Sequence, residues 1–257
     1  MIHTTPVVLF RLIRAAITAL AGSVVTLAQL NLPSRSLWES HVVLQYVSVI
    51  VIAMFVCYDA VRSFDQAIQN SKIRAYDRRL RAALSATVAS IVDEFGTPWD
   101  EIAVYHYQVT SFWPWRRLSK VDGVRAGAST ANVQPYYKIG KGLAGTAVSE
   151  QVLLAEEWRD FVQRAIPLKP DGWIQLDERK RYGLSWGELM GSERPLGMVA
   201  NPVFGPQGAP SGCLVVTGPM KLNELSGNEM RQILSDAATE IQLMGPAPRG
   251  WWSFNAR

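Results

Sequence analysis

Cysteine and histidine are both scarce in this chain, and the shortage removes several kinds of chemistry at once. Two cysteines, Cys57 and Cys213, are too few for a disulfide scaffold. Cys57 lies in or beside a hydrophobic run, so a bridge to Cys213 is excluded on position as well. Reduced thiols and a cytosolic setting follow. The three histidines are His3, His41 and His106, and the first two lie at the ends of apolar segments. That rules out a multi-histidine metal site and leaves His106 alone for any Ser–His or Cys–His pair. No kinase, cyclase, DNA-binding or hydrolase signature accompanies it. The sequence therefore reads as a non-enzyme, with no catalytic residues, no metal ligands and no identifiable cofactor.

Charge is also missing where it matters most. Ala15 to Leu32 holds no charged residue and, as a helix, covers roughly 27 Å, close to the hydrocarbon thickness of a bilayer. Val7 to Phe10 extend it past Arg11 and Arg14, whose long stems can snorkel to headgroups. A second run, Val42 to Tyr58, is flanked by Trp38 and Tyr58, aromatics suited to the interface. Together they predict a hairpin of two transmembrane helices over residues 1–61. Arg11 and Arg14 precede it, and Arg62, Lys72, Arg74, Arg78, Arg79 and Arg81 follow. The loop between holds only Arg35 and Glu39, so the positive-inside rule predicts a multi-pass protein of the inner (plasma) membrane with both termini cytoplasmic. A cleaved signal peptide fits less well, because the apolar stretch is long and no clear small-x-small site precedes Pro33. A pair of buried core helices fits less well too, since neither run has a polar face. The net charge of +4 sits mostly beside these segments and points to anionic lipid as partner, with no nucleic acid.

Proline and glycine are absent from Arg62 to Phe95. Leu80, Leu84, Thr87/Val88, Ile91 and Phe95 recur at three- and four-residue steps, and Val61, Phe64 and Ile68 follow the same spacing, which predicts an amphipathic helix. Gly96-Thr97-Pro98 stops it. Residues 62–79 read as a juxtamembrane linker able to couple a membrane span to a soluble domain, and the apolar seam suits a parallel homodimer or higher oligomer. Packing of the second half on a sheet is the plainer reading, and both can hold.

Residues 80–245 form the expected soluble domain. Glu101 to Thr110 is a strand by its branched and aromatic content. Met198 to Phe204 and Gly212 to Thr217, joined by a Gly/Pro turn, form an antiparallel hairpin. A last helix spans about Ser226 to Met244, with Ser226 and Glu229 as a capping box. The fold class is α+β, helices against an antiparallel sheet. Residues 246–257 are a tail with Trp251-Trp252-x-Phe254, either a docking motif or packing.

Ile139-Gly-Lys-Gly-Leu-Ala-Gly-Thr-Ala-Val-Ser-Glu150 is a glycine-rich turn into a short helix, followed by Gln151 to Leu154 as a short strand. With the hairpin Asn201–Phe204 and Gly212–Val216 and the terminal helix, this order resembles a GAF domain, the small-molecule-sensing relative of the PAS fold. Gly142 and Gly145 stand where that family usually has glycines. The resemblance runs from about Leu80 to Met244 and implies a GAF/PAS-like sheet flanked by helices. It does not name a ligand. The several cysteines of the sulfoxide reductases built on that fold are missing, as is the Asn-Lys-x-Phe…Asp-Glu signature of its cyclic-nucleotide-binding phosphodiesterase members. A phosphate loop at Gly140-x-Gly142 lacks the Gly-Lys-Ser/Thr ending.

The stretch Glu156 to Pro195 and the segment before it are rich in tryptophan and arginine. Aromatic faces with guanidinium forks suit a planar anionic ligand such as a nucleotide. His106, Trp113, Arg116, Tyr137, Trp158, Arg181 and Trp186 are the candidate ligand-binding residues. Against this, tryptophans fill cores and arginines face solvent, and a lone strand histidine is more often structural than a haem ligand. The expected function is a membrane-anchored cytoplasmic sensor of a small molecule that signals through a dimer. Two alternatives stand beside it: a nucleotide-activated, membrane-perturbing effector of a bacterial defence system, and a protein-interaction scaffold with no ligand.

Overall fold

The computed structural model describes residues 5–30, 32, 34, 39–112, 115–125, 127, 134–192 and 194–248. It divides into two compact units, Met1–Ser71 and Lys72–Arg257.

The first unit contains α1 (Thr5–Gln29) and the opening part of α2 (Val42–Phe95). Its apolar side chains have little protein around them: Val43, Tyr46, Ile50, Met54 and Val56 are all exposed. Several hydroxyls turn back on their own helix. Ser23 Oγ donates to the Ala19 carbonyl at 2.8 Å, Thr26 Oγ1 to Gly22 at 2.9 Å and Ser48 Oγ to Leu44 at 2.8 Å. Hydroxyls satisfied this way present no unmet polar group to an apolar surrounding. Among the described residues one helix, α2, is long and apolar enough to cross a membrane, with a mean hydropathy of 2.0 over its best window. This corrects the expected pair of spans. The helix of the first run stops at Gln29, so its charge-free part is the shorter Ala15–Gln29. At 1.5 Å per residue that is roughly 22 Å, short of the ~30 Å core of a bilayer.

In the second unit the end of α2 packs on an antiparallel sheet. Ile73, Tyr76, Leu80, Leu84, Val88 and Ile91 are buried at three- and four-residue steps, as the sequence periodicity requires. The helix ends where expected: Gly96 takes φ +62, and its N–H donates to the Val92 carbonyl at 2.9 Å. Six strands follow in the sheet order β3-β2-β1-β6-β5-β4. They are β1 (Ala103–Phe112), β2 (Trp115–Arg125), β3 (Tyr136–Lys138), β4 (Leu154–Glu156), β5 (Gly197–Phe204) and β6 (Pro210–Gly218), all paired antiparallel. Between β3 and β4 lies α3 (Gly142–Glu150). Between β4 and β5 come α4 (Trp158–Ala165), α5 (Lys169–Gln175) and α6 (Trp186–Met190), and after β6 come α7 (Leu222–Leu225) and α8 (Asn228–Met244).

Alternation along the strands divides the core in two. Val104, Val199, Leu214 and Val216 face α2 and α8, while Tyr105, Tyr107, Met198, Ala200, Cys213 and Val215 face α3 and the helices after β4. Arg81 of α2 ties the helix to the sheet, its Nε 2.9 Å from Asp122 Oδ2 on β2 and 3.3 Å from Asp77. These carboxylates, Asp122 foremost, hold its guanidinium above its ordinary pKa.

Two local expectations differ from the structure. The strand expected at Gln151–Leu154 begins at Leu154, because Gln151 adopts φ 59 as the C-cap of α3. The capping box expected at Ser226 and Glu229 does not form. Ser226 closes the turn of α7, its N–H and Oγ both donating to the Leu222 carbonyl, and Gly227 caps α8 instead. A capping box does stand at Ser185 and Glu188, at the start of α6.

Candidate functional site

The sheet face opposite α2 and α8 carries a cavity of about 230 Å³. Its floor is Tyr105 and Tyr107 from β1, Val215 from β6 and Met198 from β5; Tyr136, Tyr137 and Lys138 of β3 form one wall. Lys141, Gly142 and Leu143 bring the start of α3 to its edge, and Trp158, Leu184 and Glu188 cover it from the segment after β4. The volume lies under the roughly 300–1,000 Å³ of drug-sized pockets, so it suits a small ligand.

Aromatic contacts shape the walls. Tyr107 and Tyr137 meet edge to face at 5.1 Å, and Tyr107 Oη donates to the Gln134 carbonyl at 3.0 Å. Lys120 places its Nζ 5.0 Å from the Tyr105 ring centroid, a cation–π contact on the cavity face. Backbone geometry holds the start of α3 in place. Gly142 takes φ +67, and its N–H donates to the Tyr182 carbonyl at 2.8 Å, so the turn before α3 is bonded to the covering segment.

The covering segment has its own core. Trp158, Phe161, Trp173, Tyr182 and Trp186 stack at tilted or edge-to-face angles, with centroids 5.1 to 6.3 Å apart. Trp173 Nε1 donates to the Leu184 carbonyl at 2.9 Å. Tyr182 Oη donates to Glu156 Oε2 at 2.8 Å, and Arg164 lies 3.0 Å from the other oxygen. Burial first, then this carboxylate, pushes the Tyr182 phenol pKa up. At the cavity edge Lys141 Nζ sits 3.2 Å from both Glu188 carboxylate oxygens. Glu188 also accepts from Ser185 N–H and Oγ, each at 2.8 Å, and the Ser185 backbone N–H is the main cause holding its carboxyl below the usual range.

The sequence candidates are distributed unevenly around this site. Tyr137 and Trp158 line the cavity. Trp186 packs on Trp173 at 6.3 Å within the covering segment, away from the lining. Arg116 is exposed on β2. Arg181 lies in a short turn after α5, its Nε buried and without a hydrogen-bond partner among the described residues. Among the described residues no arginine lines the cavity. Trp113 falls outside the described residues, as do Trp251, Trp252 and Phe254 of the tail.

His106 is on the opposite face. It follows the parity of Val104, toward α2 and α8, and Gly212 leaves it room: a Cβ there would come 3.0 Å from Nε2. Burial lowers its pKa from 6.5 to about 4. The unfolded chain therefore binds this proton more readily, and the resulting stability is complete above pH 6.5 and lost as the pH falls toward 4. The expected loss is about 3 kcal/mol. Urea unfolding at a series of pH values checks it, and His106→Gln removes this component of the slope.

Tyr105, Tyr107, Leu184 and Glu188 were not among the candidates. A signal for the first two exists, since strand alternation puts Tyr105 and Tyr107 together and His106 behind them. Glu188 is marked by Ser-x-x-Glu at Ser185. Cys213 is fully buried in the same half of the core, and burial pushes its thiol pKa up. Among the described residues no group of three or more His, Cys, Asp or Glu is placed to hold a metal.

The sheet order, the two helices behind it and the cavity in front make this a GAF-like fold. No family model matches the chain. No curated protein matches it either. Similar solved structures include the GAF domain region of a putative membrane protein from Geobacter sulfurreducens, 14% identical, covering 67% of this chain and 96% of that one at a TM-score of 0.42. Another is the type II free methionine-R-sulfoxide reductase from Thermoplasma acidophilum, 15% identical, covering 66% and 97% at 0.41. A third is the free methionine-R-sulfoxide reductase from Neisseria meningitidis, solved with its substrate, 15% identical, covering 69% and 88% at 0.40. These findings correct the expectation of a non-enzyme: structures similar to this chain include enzymes, so its fold does not exclude catalysis.

Proposed function

We propose that the chain is a membrane-anchored sensor whose GAF-like domain binds a small molecule in the cavity over β1 and β6. The observation that carries this reading is the cavity itself: lined by the buried aromatics Tyr105, Tyr107 and Trp158, edged by the Lys141–Glu188 ion pair, and sited between the sheet and a separate covering segment. The anchor in this reading is α2, with Ala15–Gln29 as a second apolar segment, and the basic residues from Arg62 onward support a cytoplasmic side for the domain. Val61 and Phe64 are about 70% exposed, with Ile68 on the same seam, which supports pairing with a second copy of α2.

The test uses the full-length chain in detergent. A screen of small organic molecules is expected to find compounds that raise its melting temperature. Leu184→Trp, which fills the cavity from the partly exposed cover, is expected to abolish the shift while the apo protein still melts cooperatively. Shifts that persist in this variant would place binding elsewhere. The intact chain is also expected in the membrane fraction after an alkaline carbonate wash, and its appearance in the supernatant would remove the anchor from the reading.

A further inference from the structure

Charge is gathered at one edge of the cavity. One lysine, Lys141, and one acid, Glu188, carry charge at its edge; Lys138 also lines it, but it pairs in register with Arg117, on the face opposite Tyr137. Lys120 adds a second ammonium on the same face, over the Tyr105 ring. The excess ammonium on this face is Lys120, and the other walls are mainly aromatic and aliphatic, with Gln134, Ser192 and Thr217 as neutral polar groups. A ligand that fits this lining is flat, apolar in its body and singly negative at one end.

The two members of the ion pair are not equally fixed. Glu188 is anchored by the capping box, its Oε2 taking both the Ser185 N–H and the Ser185 hydroxyl. Lys141 is anchored only at its backbone, where its N–H donates to the Lys138 carbonyl at 3.0 Å. Its side chain is a flexible four-carbon stem, and 37% of it is exposed against 40% for Glu188. A partly solvated pair of this kind holds weakly, so an incoming anion can exchange with Glu188 for the ammonium.

We propose that the cavity takes a small aromatic monoanion of the carboxylate class, and that its acidic group displaces Glu188 from Lys141. Lys141 is then the charge that selects the ligand, and Glu188 is a built-in competitor that sets the affinity. The exchange also frees α6 from its side-chain link to the start of α3, giving the covering segment a ligand-dependent contact. This rests on the cavity being the sensor's binding site, and the probes below separate failure of the one idea from failure of the other.

The experiment is calorimetric titration of the full-length chain in detergent with benzoate, its neutral isostere benzamide and the cation benzylamine, at concentrations into the millimolar range. Benzoate is expected to bind at least tenfold more tightly than either of the others. Lys141→Met is expected to weaken benzoate at least tenfold and leave benzamide unchanged. Glu188→Gln is expected to tighten benzoate severalfold, the signature of a removed competitor, which loss of a merely structural contact would not produce. Equal binding of benzoate and benzamide, or preference for benzylamine, would overturn the anion assignment while keeping the cavity as a site. Binding of none of the three would overturn this proposal, and if Leu184→Trp also fails to block any screened compound, the site reading falls with it.

Discussion

Gly145→Ala is expected to cost about 4 kcal/mol or more, in the range that unfolds a domain of ordinary stability. A Cβ at this position would overlap the backbone carbonyl oxygen of Lys138, with the Gly140 nitrogen 3.4 Å away. Backbone atoms cannot rotate aside as a side-chain tip can, so α3 would have to lift from the β3 end. That movement breaks the bond from Gly140 N–H to the Gly145 carbonyl, now 2.9 Å, and pulls Lys141 to Leu143 out of the cavity wall. Urea unfolding followed by tryptophan fluorescence measures the loss. Gly187 is the control. A Cβ there meets nothing within 4 Å, and Gly187 lies inside α6, so Gly187→Ala is expected to be neutral or to gain up to ~1 kcal/mol. Equal behaviour of the two variants would mean that α3 has slack that the close approach of Gly145 denies.

Gly145 was marked before the structure by the resemblance, since Gly142 and Gly145 stand where the GAF family usually has glycines. A run of Gly140, Gly142 and Gly145 opening a short apolar helix is a pattern that few backbones other than a tight turn against a strand will accept. The long helix, β1 and the β5–β6 hairpin were legible for similar reasons, because period and punctuation there agree with the final fold. β2 was not. Trp115-Arg-Arg-Leu-Ser-Lys-Val-Asp-Gly-Val-Arg125 shows no clean alternation, because its pairing with β1 shifts register between His106 and Tyr107. A bulge of this kind moves side chains after it to the other face: Leu118 packs with the cavity side, while Val124, six residues on and of the same parity, packs with the α2 side.

The site was legible in its composition and not in its geometry. Tyr137 and Trp158 were identified, and they do line the cavity. His106, chosen because histidine is rare, belongs to the opposite face by simple parity with Val104. The arginines drew attention through their number, yet the charge at the cavity is carried by lysines, whose positions depend on where the turn before α3 meets the sheet. That meeting is a tertiary fact, set by the bond from Gly142 to the Tyr182 carbonyl across forty residues of chain. No spacing rule reaches that far.

Trp173→Ala is expected to destabilise the domain by about 3–5 kcal/mol, through the volume it removes from the covering segment. Trp173 is 1% exposed and packs edge to face on both Phe161 and Trp186. It also carries a polar duty, since its Nε1 donates to the Leu184 carbonyl in the cavity cover. Trp173→Phe separates the two roles. It keeps an aromatic ring in the stack but leaves that carbonyl to find another donor, at a cost of about 1–3 kcal/mol if none arrives. Because Leu184 lines the cavity, this milder variant is expected to weaken ligand binding even where the domain stays folded. Chemical unfolding and ligand titration on the same samples distinguish the effects. If Trp173→Phe matched the parent chain in both, the indole nitrogen would be a passenger, and the position of Leu184 would be set by packing against its neighbours alone.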